Sequence, residues 1–306
     1  MQRRFSDYVV ISLKGIAMGA ADAVPGVSGG TIAFISGIYE ELITTISGIN
    51  LSLFRTLKKE GIIAFWKLLN GNFILSLLLG ILVSYLTFMR IAKYLIEHHP
   101  ILIWSFFFGL IVASIFFVGK QIKAWNVPTI IGLVLGALAA YYITSLPSMA
   151  SSEQPLFLFF AGALAICAMI LPGISGSFIL VILGAYKTLS DALHDFDLKK
   201  VGLFTLGAFI GLLSFSHVLK WLFKHYHNIT LAILTGFIFG SLNKIWPWKA
   251  VLTWREISNG KLVPVLEKSI SPSTYNGDPQ LVFAISLMVI GFLTIFILEK
   301  LGSKKV

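Results

Sequence analysis

Apolar runs separated by short polar and basic stretches organise the chain almost from end to end. Ten can be marked: residues 8–24, 30–46, 72–92, 100–119 and 127–146, then 155–171, 177–194, 201–223, 229–248 and 280–299. A helix needs about 20 apolar residues to cross a hydrocarbon core of about 30 Å, and these runs come close to that length. The pattern predicts an all-α, polytopic membrane protein. The stretches 47–71 and 249–279 are polar by comparison and read as loops.

One pattern occurs twice. Pro25-Gly26-Val27-Ser28-Gly29-Gly30-Thr31 is echoed by Pro172-Gly173-Ile174-Ser175-Gly176-Ser177, each within apolar sequence. At the same offset of 147, Ile35 matches Ile182, Gly37 matches Gly184, Tyr39 matches Tyr186 and Leu42 matches Leu189. Further on the offset becomes 127, pairing Gly80 with Gly207, Phe88 with Phe215, Lys93 with Lys220, His98 with His225 and Gly109 with Gly236. The first half therefore carries 20 extra residues, which polarity places within 47–71. Apolar helices match by chance through Leu and Ile, but Gly, Lys and His do not hold register that way. The chain reads as an internal duplication, with repeats at 1–146 and 147–306.

Five segments per repeat is an odd number, so the second copy enters from the opposite side and the topology is inverted. Proline and glycine interrupt helices, and backbone freed inside lipid must be satisfied by protein, water or ligand. Each arm beside a motif is barely a membrane thickness long, and the link between arms is tight and glycine-rich. A re-entrant helical hairpin and two full spans both remain open, and both preserve the inversion. The arm length favours the hairpin. Paired interruptions of this kind point to a transporter site near the bilayer midplane.

Composition agrees, with 57% hydrophobic and 12% charged residues and a mean hydropathy of +0.86. The net charge of +10 raises the question of nucleic acid, but the Lys and Arg residues sit between apolar runs. The positive-inside bias explains them better, and anionic lipid headgroups are their natural partners. With the N-terminus inside, Arg3, Arg4, Arg55, Lys58, Lys59, Lys67, Lys120, Lys123, Lys224, Lys300, Lys304 and Lys305 lie on the cytoplasmic side. Lys187, Lys199, Lys200 and the 249–279 loop lie outside, interleaved with acids, so both termini are expected to be cytoplasmic. The N-terminal run superficially mimics a signal peptide, but Lys14 interrupts its apolar core and it reads as retained. A single cysteine, Cys167, excludes an intrachain disulfide, and six histidines lack ligand spacing, so neither metal nor cofactor is expected. Oligomeric state is open, self-association included.

The candidate chemistry gathers at the motifs. A helix that restarts after Pro-Gly offers free N–H groups and the positive end of its dipole, a site for an anion. Ser28, Thr31, Ser175 and Ser177 add hydroxyls, while Gly29, Gly30 and Gly176 let a phosphate approach the backbone. Small residues also serve close helix packing, and one motif alone would read that way. Intramembrane charges are expensive and usually functional. Asp22 lies three residues before Pro25, where Met169 stands in the second copy, and is a candidate proton carrier. Arg90 falls in register with His217: the first can grip phosphate bidentately, the second can titrate near neutral pH, and snorkelling accounts for Arg90 equally well. Glu41 is a further titratable candidate, and matched Lys93 and Lys220 can attract a headgroup. No hydrolase triad is evident, and neither glycine motif is followed by Lys-Ser or Lys-Thr as a P-loop requires.

The run Gly15-Ile16-Ala17-Met18-Gly19-Ala20-Ala21-Asp22-Ala23-Val24 through Thr31, with Gly37-Ile38-Tyr39 and the later Leu171 to Ser177, closely resembles the bacterial polyprenyl-phosphate transporter family PopT. The resemblance covers essentially the whole chain. It implies a plasma-membrane transporter that returns the lipid carrier undecaprenyl phosphate from the outer to the inner leaflet for cell-wall synthesis. Asp22, the two Ser-Gly tips and Arg90 would then serve the headgroup. The second motif departs from the first: it lacks an equivalent of Gly30 and has Phe178 where Thr31 stands. Two rivals remain: a carrier or channel for a small inorganic anion, and a membrane undecaprenyl-diphosphate phosphatase of the BacA type. The phosphatases carry Pro-Gly-x-Ser-Arg-Ser, and here Gly29 and Gly176 occupy the position of that Arg, which a phosphoryl-transfer site needs.

Overall fold

The computed structural model describes residues 3–22, 28–146, 154–256 and 262–303. Pro25, Gly26 and Val27 of the first motif, the expected repeat boundary at 146/147 and Lys304 and Lys305 thus fall wholly or partly outside the described residues. The first half comprises α1 (Phe5–Asp22), α2 (Gly29–Ile35), α3 (Tyr39–Ser47), α4 (Leu51–Glu60), α5 (Ile62–Leu68), α6 (Gly71–His98), α7 (Pro100–Gly119) and α8 (Val127–Ser145). The second comprises α9 (Pro155–Ile170), α10 (Gly176–Ile182), α11 (Ala185–His194), α12 (Leu198–His225), α13 (His227–Gly240), β1 (Lys249–Glu256), β2 (Leu262–Ser269) and α14 (Leu281–Ser303).

Among the described residues α6, α7, α8 and α12 are long and apolar enough to cross a membrane, and Leu156–Ile170 and Leu281–Phe296 are shorter apolar stretches. Leu82 and Leu86 on α6, Leu135 and Leu138 on α8, and Phe209 and Ile210 on α12 are exposed. Such a belt is costly in water and neutral in lipid.

Sequence breaks become structural breaks at matched positions. The expected arm at 30–46 is two helices, because Gly37 takes φ +74° between α2 and α3. The arm at 177–194 divides likewise at Gly184, φ +71°. A left-handed residue ends a helix, and glycine adopts it without strain. The polar stretch 47–71 is not a loop: it holds α4, capped by the Asn50 side chain, and α5. In the second half α11 passes to α12 through Asp195–Asp197 alone, so these two helices occupy the extra sequence of the first half.

Helix packing repeats with the same register. A Cβ at Gly80 would overlap the Ser12 carbonyl, and one at Gly207 would overlap the carbonyl of Phe159. Gly15 abuts Leu77 and Gly162 abuts Phe204 in the same way. Between the halves, Gly109 meets Met288 where Gly236 meets Leu133, and Gly136 meets Ile233 where Gly291 meets Phe106. Backbones at these crossings approach too closely for any side chain, which maximises dispersion contact where lipid supplies no hydrophobic drive.

The all-α expectation needs one correction. The loop at 249–279 contains an antiparallel hairpin pairing Lys249 with Ser269 and Trp254 with Pro264. β-Branched and aromatic residues such as Val251, Thr253 and Trp254 favour a strand there. Indole hydrogen bonds from Trp246 to Ile270 O (2.8 Å) and from Trp248 to Pro279 O (3.0 Å) tie the hairpin's flanks together, and Trp248 packs with Ile101 of α7 and Ala284 of α14.

Candidate functional site

Around the first motif the chain doubles back on itself. The Arg3 guanidinium donates to Glu41, the Lys14 ammonium to Ser36 O (2.7 Å), and Gly29 N–H to Asp22 Oδ1 (2.7 Å). The sequence separations shrink from 38 through 22 to 7, so α2 and α3 return along α1 toward its starting end. Asp22 closes α1 and lies against the first turn of α2, where a negative group is favoured.

The described part of the first motif is anchored within the second. Ser28, extended at φ −123°, accepts from Gly30 N–H at 3.1 Å. Its own hydroxyl points at the carbonyls of Leu171 (3.2 Å) and Met169 (3.3 Å). In return, Gly173 N–H donates to Thr31 Oγ1 at 2.9 Å. Gly173 holds φ +87° with Phe237 O 2.8 Å from where a Cβ would stand. A Cβ at Gly30 would lie 2.5 Å from Ile170 O. Backbone released by the second break is thus satisfied by hydroxyls of the first, and Ser28 (1% exposed) and Thr31 (0%) are sealed between the two.

Several expectations change in detail. Ser28 and Thr31 do not present free hydroxyls, since both are engaged in bonds between the motifs. The first donors of α2 are also occupied: Gly29 N–H by Asp22 and Gly30 N–H by Ser28. In the second motif the Ser175 side chain does not cap α10 but pairs with Ser177 Oγ at 2.9 Å. Ser175 is buried, Gly176 is buried, and Ser177 is exposed. A Cβ at Gly29 would overlap the Asp22 carboxylate, and one at Gly176 would lie 2.6 Å from Ala165 O. At Gly176 backbone fills the space that the side chain of an arginine would need, and at Gly29 the Asp22 carboxylate occupies it.

The remaining candidates lie elsewhere. Arg90 is exposed on α6 and His217 is exposed on α12, its Nδ1 2.7 Å from Leu213 O. Among the described residues neither has a hydrogen bond or ion pair to a motif. Glu41 accepts both Arg3 nitrogens (2.7 and 2.6 Å) and Asn70 Nδ2 (2.8 Å) at the starting end of α1. Lys220 lines a cavity of about 260 Å³ with Glu40, Thr44 and Lys224 at that end. The sequence reading missed a second cavity, of about 270 Å³, where Lys244 and Lys249 face Glu267 beside the end of α8. Lys244, a lone cation in the apolar run 229–248, was the available signal.

No solved structure shows detectable similarity to the chain. It is 44% identical to the polyprenyl-phosphate transporter of Vibrio cholerae serotype O1 over 99% of this chain and all of that protein. It is 32% identical to the polyprenyl-phosphate transporter of Staphylococcus aureus over 77% of this chain and 85% of that one. The family model described as undecaprenyl phosphate translocase-like matches residues 18–263. With its twin interrupted motifs bonded to each other in an apolar helical bundle, the chain belongs to the undecaprenyl phosphate translocase-like family.

Proposed function

We propose that this chain carries polyprenyl phosphate across the bacterial plasma membrane, from the outer to the inner leaflet, and is not an enzyme. Family membership and two relatives named polyprenyl-phosphate transporter support the substrate class. The observation that carries the mechanism is the mutual bonding of the two motifs, Ser28 to Leu171 O and Gly173 N–H to Thr31. The halves at 1–146 and 147–306 are read as inverted repeats, each with a re-entrant hairpin. The chain reversal at Asp22 and the duplicated glycine crossings support that reading. Both termini are read as cytoplasmic from the Lys/Arg distribution.

Such a lipid needs only its phosphate shielded, because the polyprenyl tail can stay in hydrocarbon. Rocking of one repeat against the other would part the motifs at their few polar bonds and expose N–H and O–H donors to the headgroup. In the closed arrangement the Asp22 carboxylate occupies the start of α2 as an internal anion. Protonation weakens it as an acceptor and frees Gly29 N–H for phosphate, which couples transport to a proton. Leaflet-resolved transfer of undecaprenyl phosphate in proteoliposomes, read by protection from an external phosphatase, tests the assignment. Intact protein is expected to accelerate transfer and a Ser28→Ala/Ser175→Ala variant to slow it; no acceleration by intact protein refutes the function.

A further inference from the structure

At the β-hairpin end of the bundle, Lys244 and Lys249 converge on one carboxylate oxygen. Glu267 Oε2 lies 3.8 Å from Lys244 Nζ and 3.5 Å from Lys249 Nζ. Both amines are largely withdrawn from solvent, with side chains 25% and 12% exposed. Each stands over an aromatic face at 4.5 Å, Lys244 over Phe178 and Lys249 over Trp104. The cavity they line, about 270 Å³, is also bordered by Asn243, Ser269 and Thr144, with the exposed Lys268 at its edge. Among the described lining residues two largely buried ammonium groups therefore face a single carboxylate. Burying cations with incomplete compensation is unfavourable, and an anion bound between them relieves it.

We propose that this cavity is the loading site for the phosphate monoester of the polyprenyl lipid at the β-hairpin end, held by Lys244 and Lys249. The proposal rests on the transport reading above and adds to it where the headgroup is captured before it reaches the motifs. Location supports the role. Phe178, Val181 and Ile182 of the wall belong to α10, the helix that starts at the second motif, so the cavity lies directly along that helix from the Ser175 break. Tyr141 and Leu146 at the end of α8 also line it, giving the tail an apolar border. Lysine suits the task because its point charge grips a phosphate without demanding one orientation, which allows release.

The test is equilibrium binding to the full chain in nanodiscs, with three probes: a short-chain polyprenyl phosphate, the matching neutral polyprenol, and inorganic phosphate. The wild type is expected to prefer the lipid phosphate over the polyprenol, with inorganic phosphate a weak competitor. Lys244→Met/Lys249→Met is expected to weaken lipid phosphate about tenfold or more, as loss of charge-assisted hydrogen bonds does. Glu267→Gln removes the competing carboxylate and is expected to tighten binding, a gain that misfolding does not mimic. Wild-type affinity in the double lysine variant, or weaker binding in Glu267→Gln, overturns the site while leaving lipid transfer by intact protein unaffected. Inorganic phosphate binding more tightly than the lipid overturns the lipid assignment. A wild type that binds but never transfers lipid condemns the transport reading instead.

Discussion

Thr31 Oγ1 receives the amide of Gly173 at 2.9 Å, across 142 residues of sequence, and so ties one interrupted helix to the other. The donor exists because Pro172 and the left-handed Gly173 break the helical ladder, and the acceptor is the last residue of the first motif. A tie of this kind is strong while buried and is surrendered as a unit when the motifs part.

Thr31→Val keeps the shape and removes the acceptor, leaving Gly173 N–H buried without a partner. A loss of about 1–3 kcal/mol is expected, read as lower thermal stability in detergent, with Thr31→Ser close to wild type. Equal stability of the valine and serine variants contradicts the bond.

Asp22→Asn retains an acceptor for Gly29 N–H and abolishes titration at that position. Transport by the variant is expected to lose whatever pH dependence the wild type shows. Persistent pH dependence in the variant retires Asp22 as the proton carrier.

Glu41 serves as the contrast. Its bidentate pairing with Arg3 is about three-quarters buried on both sides and Asn70 also donates to it, so Glu41→Gln is expected to cost about 1–3 kcal/mol of stability. Transport should keep its pH profile. Loss of that profile in Glu41→Gln transfers the proton role from Asp22 to Glu41.

Gly80→Val and Gly207→Val drive a side chain into the backbone of α1 and α9 respectively. Each is expected to destabilise by about 1–3 kcal/mol or more, and by similar amounts because the crossing is duplicated. A harmless substitution at either site in thermal unfolding is incompatible with this packing.

Anion binding at the lysine cavity should depend on pH at its upper end. Burial pushes the Lys249 ammonium down to about 8, with Glu267 opposing that shift and Lys244 adding to it; the exposed Lys268 lies at the cavity edge. The amine is charged below that pH and neutral above it, so affinity for a phosphate monoester falls as pH rises through about 8. The phosphate itself gains its second charge near about pH 6, which sets the lower limb. Lys249→Arg should remove the upper limb in a binding titration, and an unchanged profile argues against Lys249 as the titrating group.

Much of this architecture was readable one residue at a time. Breaks at Ser28 and Ser175 follow from backbone propensities, which are local properties, whereas Gly37 and Gly184 were legible as a matched pair but not as helix ends within the arms 30–46 and 177–194. Even the crossing glycines Gly80 and Gly207 stood out as matched pairs before any contact was known. The β-hairpin and helices α4 and α5 were less legible, because short amphipathic and strand segments in a polar stretch resemble loops when only hydropathy is followed.

The amino-acid order, then, decided where helices stop, where they restart and how often the pattern recurs. Only the folded bundle decided what the interrupted ends face: Thr31 meets Gly173, Asp22 meets Gly29, Arg90 and His217 turn outward, and Lys244 and Lys249 meet over Glu267. The physical reason lies in the solvent. A helix in lipid is apolar on its packed face and on its lipid face alike, so hydropathy marks the span but not its inward side. Direction is set by contacts between residues far apart in the chain, and those exist only once the helices have packed.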